Sequence, residues 1–374
     1  MKVLVAMSGG VDSSVAAAEL LREGHDVVGV TMRLWGGESD TGCCSVSDVD
    51  DARRVAQQLG IDHLVFNFSE EFNDRVVAPY VAAHVAGTTP NPCIECNRHL
   101  KFDRLVQRAE MLGFDAVATG HHARIEADEH GVRRVRRGLD AAKDQSYVVH
   151  MLDEASLRVV MMPVGGMTKD HVRDRARELG LRTAGKPDSQ DVCFITDTGG
   201  REAFLGERIA FRRATVVDEA GVRLGEVDAV ELVTIGQRRG LSLPGGAPKQ
   251  YVAAVDVDAR VVTVAAPHRL LDDSLIVDSV RWIGDPPDPR AGWVRVQSSA
   301  HGRTAPARIE SPDGDGMVRV RWETPQRRVA AGQSVVFYDT SDEFVLGGGI
   351  AASEPRVVDG GSGATRGKAH RAGV

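Results

Sequence analysis

The sequence predicts an α/β protein with a doubly wound parallel sheet, followed by a small central domain and a C-terminal β-barrel. Strand-like and helix-like segments alternate through residues 1–120, which is typical of a parallel sheet covered by helices on both faces. From Ser274 to Ile350, short runs alternate apolar and polar residues between Pro and Gly turns. A closed barrel is the simplest architecture for such runs, because closure removes exposed strand edges.

The N-terminal sheet is predicted to contain four strands and four helices, each helix stopped by a glycine where the chain must turn left-handed. The strands are Val3–Met7, Val27–Met32, His63–Phe68 and Ala116–Thr119. The helices are Ser13–Glu23, Val49–Leu59, Glu71–Val85 and Asn97–Leu112. Ligands of such sheets bind beyond the carboxyl ends of the strands. We therefore expect Ser8, Met32–Arg33 and Gly120–His121 to meet in one crevice.

The rest of the chain is divided where its pattern changes. Further helices are predicted at Lys169–Leu179 and Arg201–Arg208. Short β-like runs follow at Ala214–Asp218, Val230–Ile235 and Tyr251–Val257, and then at Val294–Gln297, Thr304–Ile309, Met317–Trp322 and Ser334–Tyr338. The predicted domains are residues 1–200, 201–270 and 271–356. Residues 357–374 are rich in Gly, Ser, Ala and Arg and are expected to be disordered.

The composition predicts a soluble, cytoplasmic protein. No apolar run approaches the ~20 residues that cross a bilayer, and the first run ends at Ser8, too early for a signal peptide. Five cysteines are too few for a disulfide scaffold. The net charge of −7 argues against nucleic acid, yet local basic clusters are either nucleic-acid contacts or solvated faces. The clusters are Arg98, Lys101, Arg104 and Arg108; Arg133, Arg134, Arg136 and Arg137; Arg212 and Arg213; and Arg238 and Arg239.

A glycine-containing loop, Ser8-Gly-Gly-Val-Asp-Ser-Ser14, separates the first strand from the first helix. Gly9 and Gly10 have no Cβ, so the backbone can approach a ligand closely, and the N–H groups that open the helix attract an anion. The loop is not a Walker A motif, because it lacks the Gly-Lys pair before the serine. It resembles the pyrophosphate loop of the ATP pyrophosphatases, which cleave ATP between the α and β phosphates. The alternative is a glycine turn in a Rossmann-like unit that binds no nucleotide.

Cys93 and Cys96 form a Cys-x-x-Cys pair after two prolines. Cys96 is predicted at the start of the helix Asn97–Leu112, near Arg98. A helix N-terminus and a cation both lower the pKa of a thiol, from ~8.5 toward 7 or below, which favours a thiolate nucleophile. A zinc knuckle would need a second such pair, whereas an inert pair in a buried turn remains an alternative. No metal ligands are assigned.

Two further sites hold cysteines. Cys193 ends the run Pro187-Asp-Ser-Gln-Asp-Val-Cys, and taken alone such a cysteine is most often a small buried hydrophobe. Cys43 and Cys44 follow the second predicted strand, and no role is assigned to them.

Seven motifs follow one another along the chain: the Ser8–Ser14 loop, Thr89-Pro-Asn-Pro-x-x-x-Cys-Asn97, Ala118-Thr-Gly-His121, Lys143-Asp-Gln-Ser-Tyr147, Pro187-Asp-Ser-Gln-Asp-Val-Cys-Phe194, Ile235-Gly-Gln-Arg-x-Gly-Leu241 and Pro325 with Ala331-Gly-Gln-Ser-Val-Val-Phe-Tyr338. In this order they resemble the bacterial tRNA-uridine 2-sulfurtransferase family, the 2-thiouridylases of the pyrophosphate-loop superfamily. The resemblance covers residues 1 to about 352. It implies an adenine-nucleotide α-hydrolase-like first domain.

The resemblance also implies an activity and a set of site residues. Uridine O2 at the tRNA wobble position would be adenylated, and persulfide sulfur would then reach C2, giving 2-thiouridine, AMP and pyrophosphate. Cys96 would be the nucleophile and Cys193 the persulfide carrier, with a transient disulfide between them. ATP would bind Ala6, Met7, Ser8, Gly9, Gly10, Val11, Asp12, Ser13, Met32 and Gly120. The target base and tRNA would bind Asn91, Pro92, Cys93, His121, Lys143, Asp144, Gln145 and Gln333.

In two places the sequence departs from that family. Some members have Asp where Cys93 stands, so an acid–base role proposed there does not transfer. An Arg-Tyr pair of some relatives has no match near Gln297–His301, which leaves that tRNA contact unsupported.

The implied partners are tRNA for Lys, Glu and Gln and a sulfur-carrier or cysteine-desulfurase protein, with the chain itself monomeric and away from membranes. The implied cofactor is Mg²⁺. An iron–sulfur cluster on Cys93, Cys96 and Cys193 is a less favoured alternative to the persulfide relay. A different enzyme of the superfamily, such as an argininosuccinate- or NAD-synthetase-like ligase, is the rival function, but it needs no paired thiols. An RNA-binding scaffold that retains a nucleotide fold is the non-enzymatic rival.

Overall fold

The N-terminal part of the chain forms the predicted parallel sheet, seen here in a computed structural model. The structure describes residues 1–34, 46–188, 192–196, 200–243, 248–288, 292–310 and 316–352. The predictions for Cys43, Cys44 and the tail 357–374 therefore lie outside the described residues. Within the described part, no helix is both long enough and apolar enough to cross a membrane.

The first 210 residues contain seven strands and ten helices in the described part. The strands are β1 (Lys2–Ala6), β2 (Asp26–Arg33), β3 (His63–Asn67), β4 (Ala116–Ala118), β5 (Ala123–Ala127), β6 (Arg133–Arg137) and β7 (Val160–Met161). The helices are α1 (Val11–Arg22), α2 (Val46–Leu59), α3 (Ser69–Phe72), α4 (Ala78–Val85), α5 (Pro92–Cys96), α6 (Leu105–Met111), α7 (Glu154–Val159), α8 (Lys169–Glu178), α9 (Cys193–Thr196) and α10 (Arg201–Gly206). Two π-helical segments, Asn73–Val77 and Asn97–Arg104, join α3 to α4 and α5 to α6.

Strand β1 lies at the centre of the sheet, whose order is β3-β2-β1-β4-β7. Its side chains alternate between two cores, as the two-residue period of a strand requires. Val3 and Val5 pack with α1, α2 and α8, whereas Leu4 packs on the opposite face with Phe72 and Leu100. The doubly wound sheet predicted from the sequence is therefore confirmed.

The sheet has a topological switch point beside β1. The chain runs from β1 outward through β2 and β3, and later returns to pair β4 with the other edge of β1. Connections leave on opposite faces at such a point, which opens a crevice at the carboxyl ends of the strands. The edge strand β7 and the separate hairpin β5–β6 are not predicted from the sequence. Strand β7 has only two residues, and the arginine-rich run of β6 shows no alternation of apolar and polar residues.

The central part holds a four-stranded sheet and differs from the prediction in one run. Its strands are β8 (Ala214–Val217), β9 (Arg223–Val227), β10 (Tyr251–Asp256) and β11 (Val261–Ala265), in the order β10-β11-β8-β9. The predicted strand Val230–Ile235 is wrong, because Val230–Leu232 is a 3₁₀ turn. The buried Glu231 carboxylate accepts a hydrogen bond of 2.7 Å from Arg212, an ion pair that a strand-period interpretation of this run does not anticipate.

The C-terminal part is a closed six-stranded barrel, as predicted. Its strands are β12 (Leu271–Trp282), β13 (Val294–Gln297), β14 (Ala305–Glu310), β15 (Val318–Arg327), β16 (Ser334–Tyr338) and β17 (Val345–Ala351). They close in the order β12-β15-β14-β13-β16-β17. Alternate residues such as Val294 and Val296 fill the interior. Tyr338 and Val345 instead pack with Tyr147 of the N-terminal part, so the barrel is docked beside the crevice.

Candidate nucleotide and thiol site

A cavity of about 590 Å³ lies at the carboxyl ends of β1, β2 and β4. Sixteen of the residues predicted for ATP, thiol chemistry or tRNA line it: Ala6, Met7, Ser8, Gly10, Val11, Asp12, Ser13, Met32, Pro92, Cys93, Cys96, Gly120, His121, Lys143, Asp144 and Gln145. Among the other predicted residues with described side chains, Gly9, Asn91 and Gln333 lie outside this lining. Of the residues predicted to meet in one crevice, Ser8, Met32, Gly120 and His121 line this cavity, whereas Arg33 is exposed and does not.

The phosphate loop (Ser8–Ser14) is shaped by its own serines. The Ser8 N–H donates to Ser13 Oγ at 3.2 Å, and the Ser14 hydroxyl donates to the Gly10 carbonyl at 2.8 Å. Helix α1 begins at Val11 with Gly10 as its N-cap, and Gly10 supplies no side chain to the first N–H groups of the helix. This end of the helix is therefore open to an anion in the cavity.

Two glycines allow the backbone to pack tightly behind this loop. Gly9 has φ +71°, and a Cβ there would lie 2.5 Å from the carbonyl oxygen of Asp48. A Cβ on Gly120 would lie 2.6 Å from the backbone nitrogen of Ser13. Any side chain at either position would push α2 or the end of β4 away from the loop.

Asp12 is the charged centre of the loop. Lys169 Nζ donates to its two carboxylate oxygens at 2.8 and 2.7 Å, and His122 Nε2 lies 3.0 Å from Oδ1. Burial disfavours the charged form of Asp12, but the hydrogen bonds from His122 and Lys169 outweigh burial and lower its pKa. The sequence predictions missed Lys169 and His122. The only signal for Lys169 is that it opens α8 immediately after the N-cap Thr168.

Asp188 forms a second acidic point on the cavity wall. It pairs with Lys143 at 2.8 Å and with Lys169 at 3.0 Å, and Arg173 also contacts it. Burial raises its pKa, but the hydrogen bonds from Lys143 and Lys169 dominate, so the pKa is lowered overall. Lys169 therefore bridges the carboxylates of Asp12 and Asp188, and ion pairs fix both of these side chains.

The half-buried thiol pair lies on the helix that follows Asn91. The helix begins at Pro92, and Asn91 Oδ1 accepts a hydrogen bond of 3.0 Å from the Cys93 N–H. The prediction that Cys96 opens the helix is therefore wrong, because proline is favoured at the first helical position and Asn91 caps it. Cys93 occupies the N-terminal turn, and Cys96 lies in the following turn. Helix-dipole activation accordingly acts more on Cys93 than on Cys96.

The side chain of Cys193 lies outside the described residues, although its backbone is in α9. The next residue, Phe194, is buried and lines the cavity. Its ring lies 5.4 Å from that of Phe72 and 5.1 Å from that of Phe204, measured between centroids. These aromatic contacts fix α9 against the cavity wall.

His121 is a buried group that lines the same cavity as the thiols. Its Nδ1 lies 2.7 Å from Thr119 Oγ1. Burial, with smaller contributions from Lys101 and His122, places its pKa well below the ordinary value. Next to Cys96, the buried Asn97 donates its amide to the Val148 carbonyl at 2.8 Å. The lining that contains the thiols therefore includes the imidazole of His121 and the amide of Asn97, together with the cation of Lys101.

The barrel contributes Ala300 and His301 to the lining, which the sequence did not predict. Gln333, predicted to contact tRNA, donates its side-chain amide to the Thr89 carbonyl, ahead of the thiol helix. The barrel is thus tied to the cavity at two places.

Arginines of two predicted basic clusters form ion pairs within the chain. Arg134 is buried and pairs with Asp128 at 2.6 Å, and Arg136 pairs with Glu343 of the barrel at 2.7 Å. Arg104 pairs with Glu71 at 2.8 Å. By contrast, Arg238 and Arg239 are exposed. Sequence spacing cannot show these acidic partners, and within the Arg133–Arg137 cluster Arg134 and Arg136 are paired inside the chain, whereas Arg133 is exposed.

The chain matches known families over almost its whole length. Residues 1–197 match the tRNA methyl transferase HUP domain, 202–266 the tRNA methyl transferase PRC-barrel domain and 272–351 the Aminomethyltransferase beta-barrel domain. The tRNA-specific 2-thiouridylase MnmA of Chloroflexus aggregans is 44% identical over 94% of this chain and 98% of its own. That of Rhodococcus jostii is 45% identical, covering 95% and 99%. A solved 4-thiouridine synthetase–RNA complex with bound ATP aligns with 56% of this chain and 46% of its own, at 22% identity and a TM-score of 0.34.

Proposed function

Since this chain belongs to the tRNA-specific 2-thiouridylase family, we propose that it replaces the C2 oxygen of a tRNA uridine with sulfur in a reaction driven by ATP. The enzyme is a tRNA sulfurtransferase, and its products are 2-thiouridine in tRNA, AMP and pyrophosphate. The observation that carries the proposal is that one cavity is lined by both the phosphate loop and Cys96. A ligase of the same superfamily would need the loop but no thiols.

The first step would be adenylation of the base. Uridine O2 attacks the α phosphorus of ATP, the bond to the β phosphate breaks, and pyrophosphate leaves. An oxide is a very poor leaving group. Once O2 carries the adenylyl group, it can leave C2 as part of AMP. The open N-terminus of α1 and the ammonium of Lys169 would stabilise the charge that develops on the departing pyrophosphate.

A magnesium ion fits the donor groups at the loop. Asp12 lines the cavity with a partly exposed carboxylate, and Mg²⁺ typically binds one or two carboxylates together with substrate phosphates. Among the described residues, no group of three or more His, Cys, Asp and Glu side chains could hold a metal without such a substrate. When bound, Mg²⁺ would neutralise phosphate charge and orient the α phosphorus for attack.

The second step would transfer sulfur from a persulfide on Cys193. Its terminal sulfur attacks C2, forms the C–S bond and expels AMP. The thiolate of Cys96 then attacks the Cys193 sulfur, which breaks the S–S bond, releases 2-thiouridine and leaves a Cys96–Cys193 disulfide. Alternatively, Cys96 attacks first and hydrosulfide becomes the nucleophile at C2. Both routes oxidise two cysteines to one disulfide, so a thiol reductant must reopen it.

The uracil base would bind against the part of the cavity lining that contains the thiols and His121. A wobble uridine lies in a single-stranded loop and can be turned out of its stack into a pocket. Neutral His121 and the polar groups of Pro92–Asn97 suit an uncharged uracil ring better than a phosphate. His121, Lys143 and Gln145 are the proposed contacts to the flipped nucleotide.

The finer assignments stay within this proposal. The modified uridine is the wobble nucleotide of the tRNAs for Lys, Glu and Gln. The sulfur comes from a sulfur-carrier or cysteine-desulfurase protein, and the enzyme acts in the cytoplasm as a monomer. The proposed domain limits are 1–200, 201–270 and 271–356.

The proposal is tested by incubating the protein with unmodified tRNA, ATP, Mg²⁺, a thiol reductant and a persulfide donor, namely a cysteine desulfurase with cysteine. Nucleosides are then released and identified by mass spectrometry. We expect 2-thiouridine at one position of the anticodon, with one pyrophosphate formed per thiolation. Omitting ATP is the control. Pyrophosphate release that requires an amine or a carboxylate substrate instead of tRNA would favour the ligase.

A further inference from the structure

Arg137, on β6, connects the barrel with the wall of the cavity. Its Nε donates to the Asp342 carbonyl at 2.7 Å, its Nη2 to the Asp342 carboxylate at 2.8 Å, and its Nη1 to Asp144 at 2.7 Å. Both terminal nitrogens also lie 3.3 Å from Gln297 Oε1. The guanidinium stacks over the Tyr338 ring, 3.8 Å from its centroid. One side chain thus holds β13, β16 and the β16–β17 turn of the barrel against the loop that carries Asp144.

The guanidinium is suited to this fixed position. Burial disfavours its charge, but Tyr338 and the carboxylates Asp342 and Asp144 outweigh burial and raise its pKa. Its planar fork binds two carboxylates and one amide oxygen at once, which the point charge of a lysine cannot do.

Asp144 continues the connection into the cavity wall. Its Oδ2 accepts from Arg137 and from the Ser146 hydroxyl at 2.8 Å, while Oδ1 accepts from the Gly138 N–H at 2.8 Å. The Ser146 hydroxyl also lies 3.0 Å from the Tyr338 hydroxyl. The carboxylate is only 9% exposed, so its oxygens are directed to the protein. This geometry favours a supporting role for Asp144 over the direct tRNA contact predicted for it.

The adjacent Gln145 carries the connection to the phosphate loop. Its side-chain Oε1 accepts from the His122 N–H at 2.8 Å, and its own N–H donates to the His122 carbonyl at 2.9 Å. His122, held on both sides of its backbone, then lies 3.0 Å from Asp12 through Nε2. An unbroken path of contacts therefore leads from the barrel through Arg137, Asp144, Gln145 and His122 to Asp12.

We propose that Arg137 is a positioning residue that couples tRNA binding at the barrel to nucleotide binding at the phosphate loop. The inference rests on the proposed function, because it takes tRNA as the barrel's ligand and ATP as the ligand of the loop. A shift of the barrel on binding tRNA moves Asp342 and Tyr338, and the path transmits that shift to His122 and Asp12. Such coupling is reciprocal, so each ligand must tighten the other by the same factor.

Arg136 provides a matched control on the same strand. It also joins the hairpin to the barrel, through Glu343 at 2.7 Å, but its other ion pair is with Glu126 on β5. Neither ion pair includes a residue of the loop that carries Asp144. Arg136→Lys therefore weakens a connection between the hairpin and the barrel while leaving the path to Asp12 intact.

The test is a binding cycle on the full chain with tRNA and α,β-methylene ATP, an analogue that cannot be cleaved at the reacting bond. Nucleotide affinity is measured with and without saturating tRNA for the wild type, Arg137→Lys, Arg136→Lys and Asp342→Asn. We expect tRNA to tighten nucleotide binding about fivefold or more in the wild type, within the usual range of coupling. Arg137→Lys and Asp342→Asn should bring this factor close to one with each separate affinity within about twofold, whereas Arg136→Lys should retain it.

Three results would overturn the inference: a wild-type factor of one, an unchanged factor in Arg137→Lys, or an equal loss in Arg136→Lys. If Arg137→Lys does not fold, as judged by its melting temperature, Asp342→Asn carries the same test from the barrel side. Thiolation by the wild type is assayed in parallel. Its presence without coupling rejects only this inference, whereas a wild type that neither binds nor thiolates tRNA rejects the proposed function itself.

Discussion

Two regions of the cavity differ in their electrostatic environment. We call the region around the phosphate loop the loop end, and the region with Cys93, Cys96 and His121 the thiol end. At the phosphate loop, Lys169 lies between the carboxylates of Asp12 and Asp188, and both carboxylates have lowered pKa values. At the thiol end, burial keeps His121 neutral and raises the pKa of Tyr147. Charged phosphates suit the first environment and an uncharged base the second. On the proposed function, the phosphates of ATP would therefore bind at the loop end and the base at the thiol end.

The difference also determines how each end responds to mutation. At the loop end, Lys169 pairs with both Asp12 and Asp188, so its removal takes a partner from two carboxylates at once, whereas Asp188 itself pairs with three cations. At the thiol end, Asn97 and His121 make hydrogen bonds between uncharged groups, so a conservative change at Cys93 or Cys96 should leave the structure intact. We therefore expect substitutions at one end to spare the half-reaction that occurs at the other.

The largest effect is expected for Cys96→Ser. Thiolation should fall by roughly 10³-fold or more, because a serine hydroxyl cannot replace a thiolate nucleophile. The first turnover of tRNA-dependent pyrophosphate release should remain, since the loop end is unchanged. A rapid-quench assay of labelled pyrophosphate, with 2-thiouridine measured in the same samples, makes the comparison. Retained thiolation, or loss of both products together, would contradict the separation of the two ends.

Lys169→Met should have the next largest effect, on the opposite half-reaction. It removes the cation proposed to face the leaving group and leaves Asp12 with His122 as its remaining partner, while Asp188 keeps Lys143 and Arg173, so pyrophosphate release should fall by about 10²–10³-fold. Lys186→Met is the matched control, because Lys186 also joins two carboxylates, Asp48 at 2.7 Å and Asp51 at 2.9 Å, but does not line the cavity. Equal loss in both variants would show that Lys169 acts only through the fold.

Cys93→Ser distinguishes the persulfide relay from an iron–sulfur cluster. In a relay that uses Cys96 and Cys193, we expect thiolation to fall by about tenfold or less, which corresponds to about 1.4 kcal/mol in the barrier. Anaerobic reconstitution, iron quantitation and thiolation are measured for this variant and the wild type. If the wild type is active only with about four irons, and Cys93→Ser loses both iron and activity, the relay is wrong and the thiol end is a metal site.

The smallest effect is expected for Asp188→Asn, on stability and its pH dependence. The folded protein lowers the pKa of Asp188, so its contribution to stability is present above the ordinary carboxyl pKa and is lost as the pH falls through the lowered value. Because the side chain is about one-third exposed, the melting temperature at pH 7 should drop by only about 1–3 °C. The difference from the wild type should shrink below about pH 4. A constant difference from pH 7 to pH 3 would mean that the carboxylate charge contributes nothing.

The sequence alone was enough for the parts of the molecule that depend on local pattern. The apolar run before Ser8 predicts a central strand, and the glycines of the phosphate loop predict a close backbone turn at an anion site. Asn91 and Pro92 also carry the information that the helix starts there, although the prediction placed the start five residues later. The alternation after Ser274 predicts the barrel. In each case, the residues that form the element are neighbours in the sequence.

The tertiary structure decided the contacts between segments that are distant in the sequence. Lys169 meets Asp12 across 157 positions, and Arg137 meets Asp342 across 205. In the sequence, Lys169 is only the first residue of an amphipathic helix, and Arg137 is one of four clustered arginines that also fit a solvated face. Whether a charge faces water, a ligand or a buried carboxylate depends on which segments fold against it, and ion pairing carries no periodic signal. The sequence therefore determined the elements and the chemical groups available, while packing of the barrel and α8 around the parallel sheet decided which groups meet.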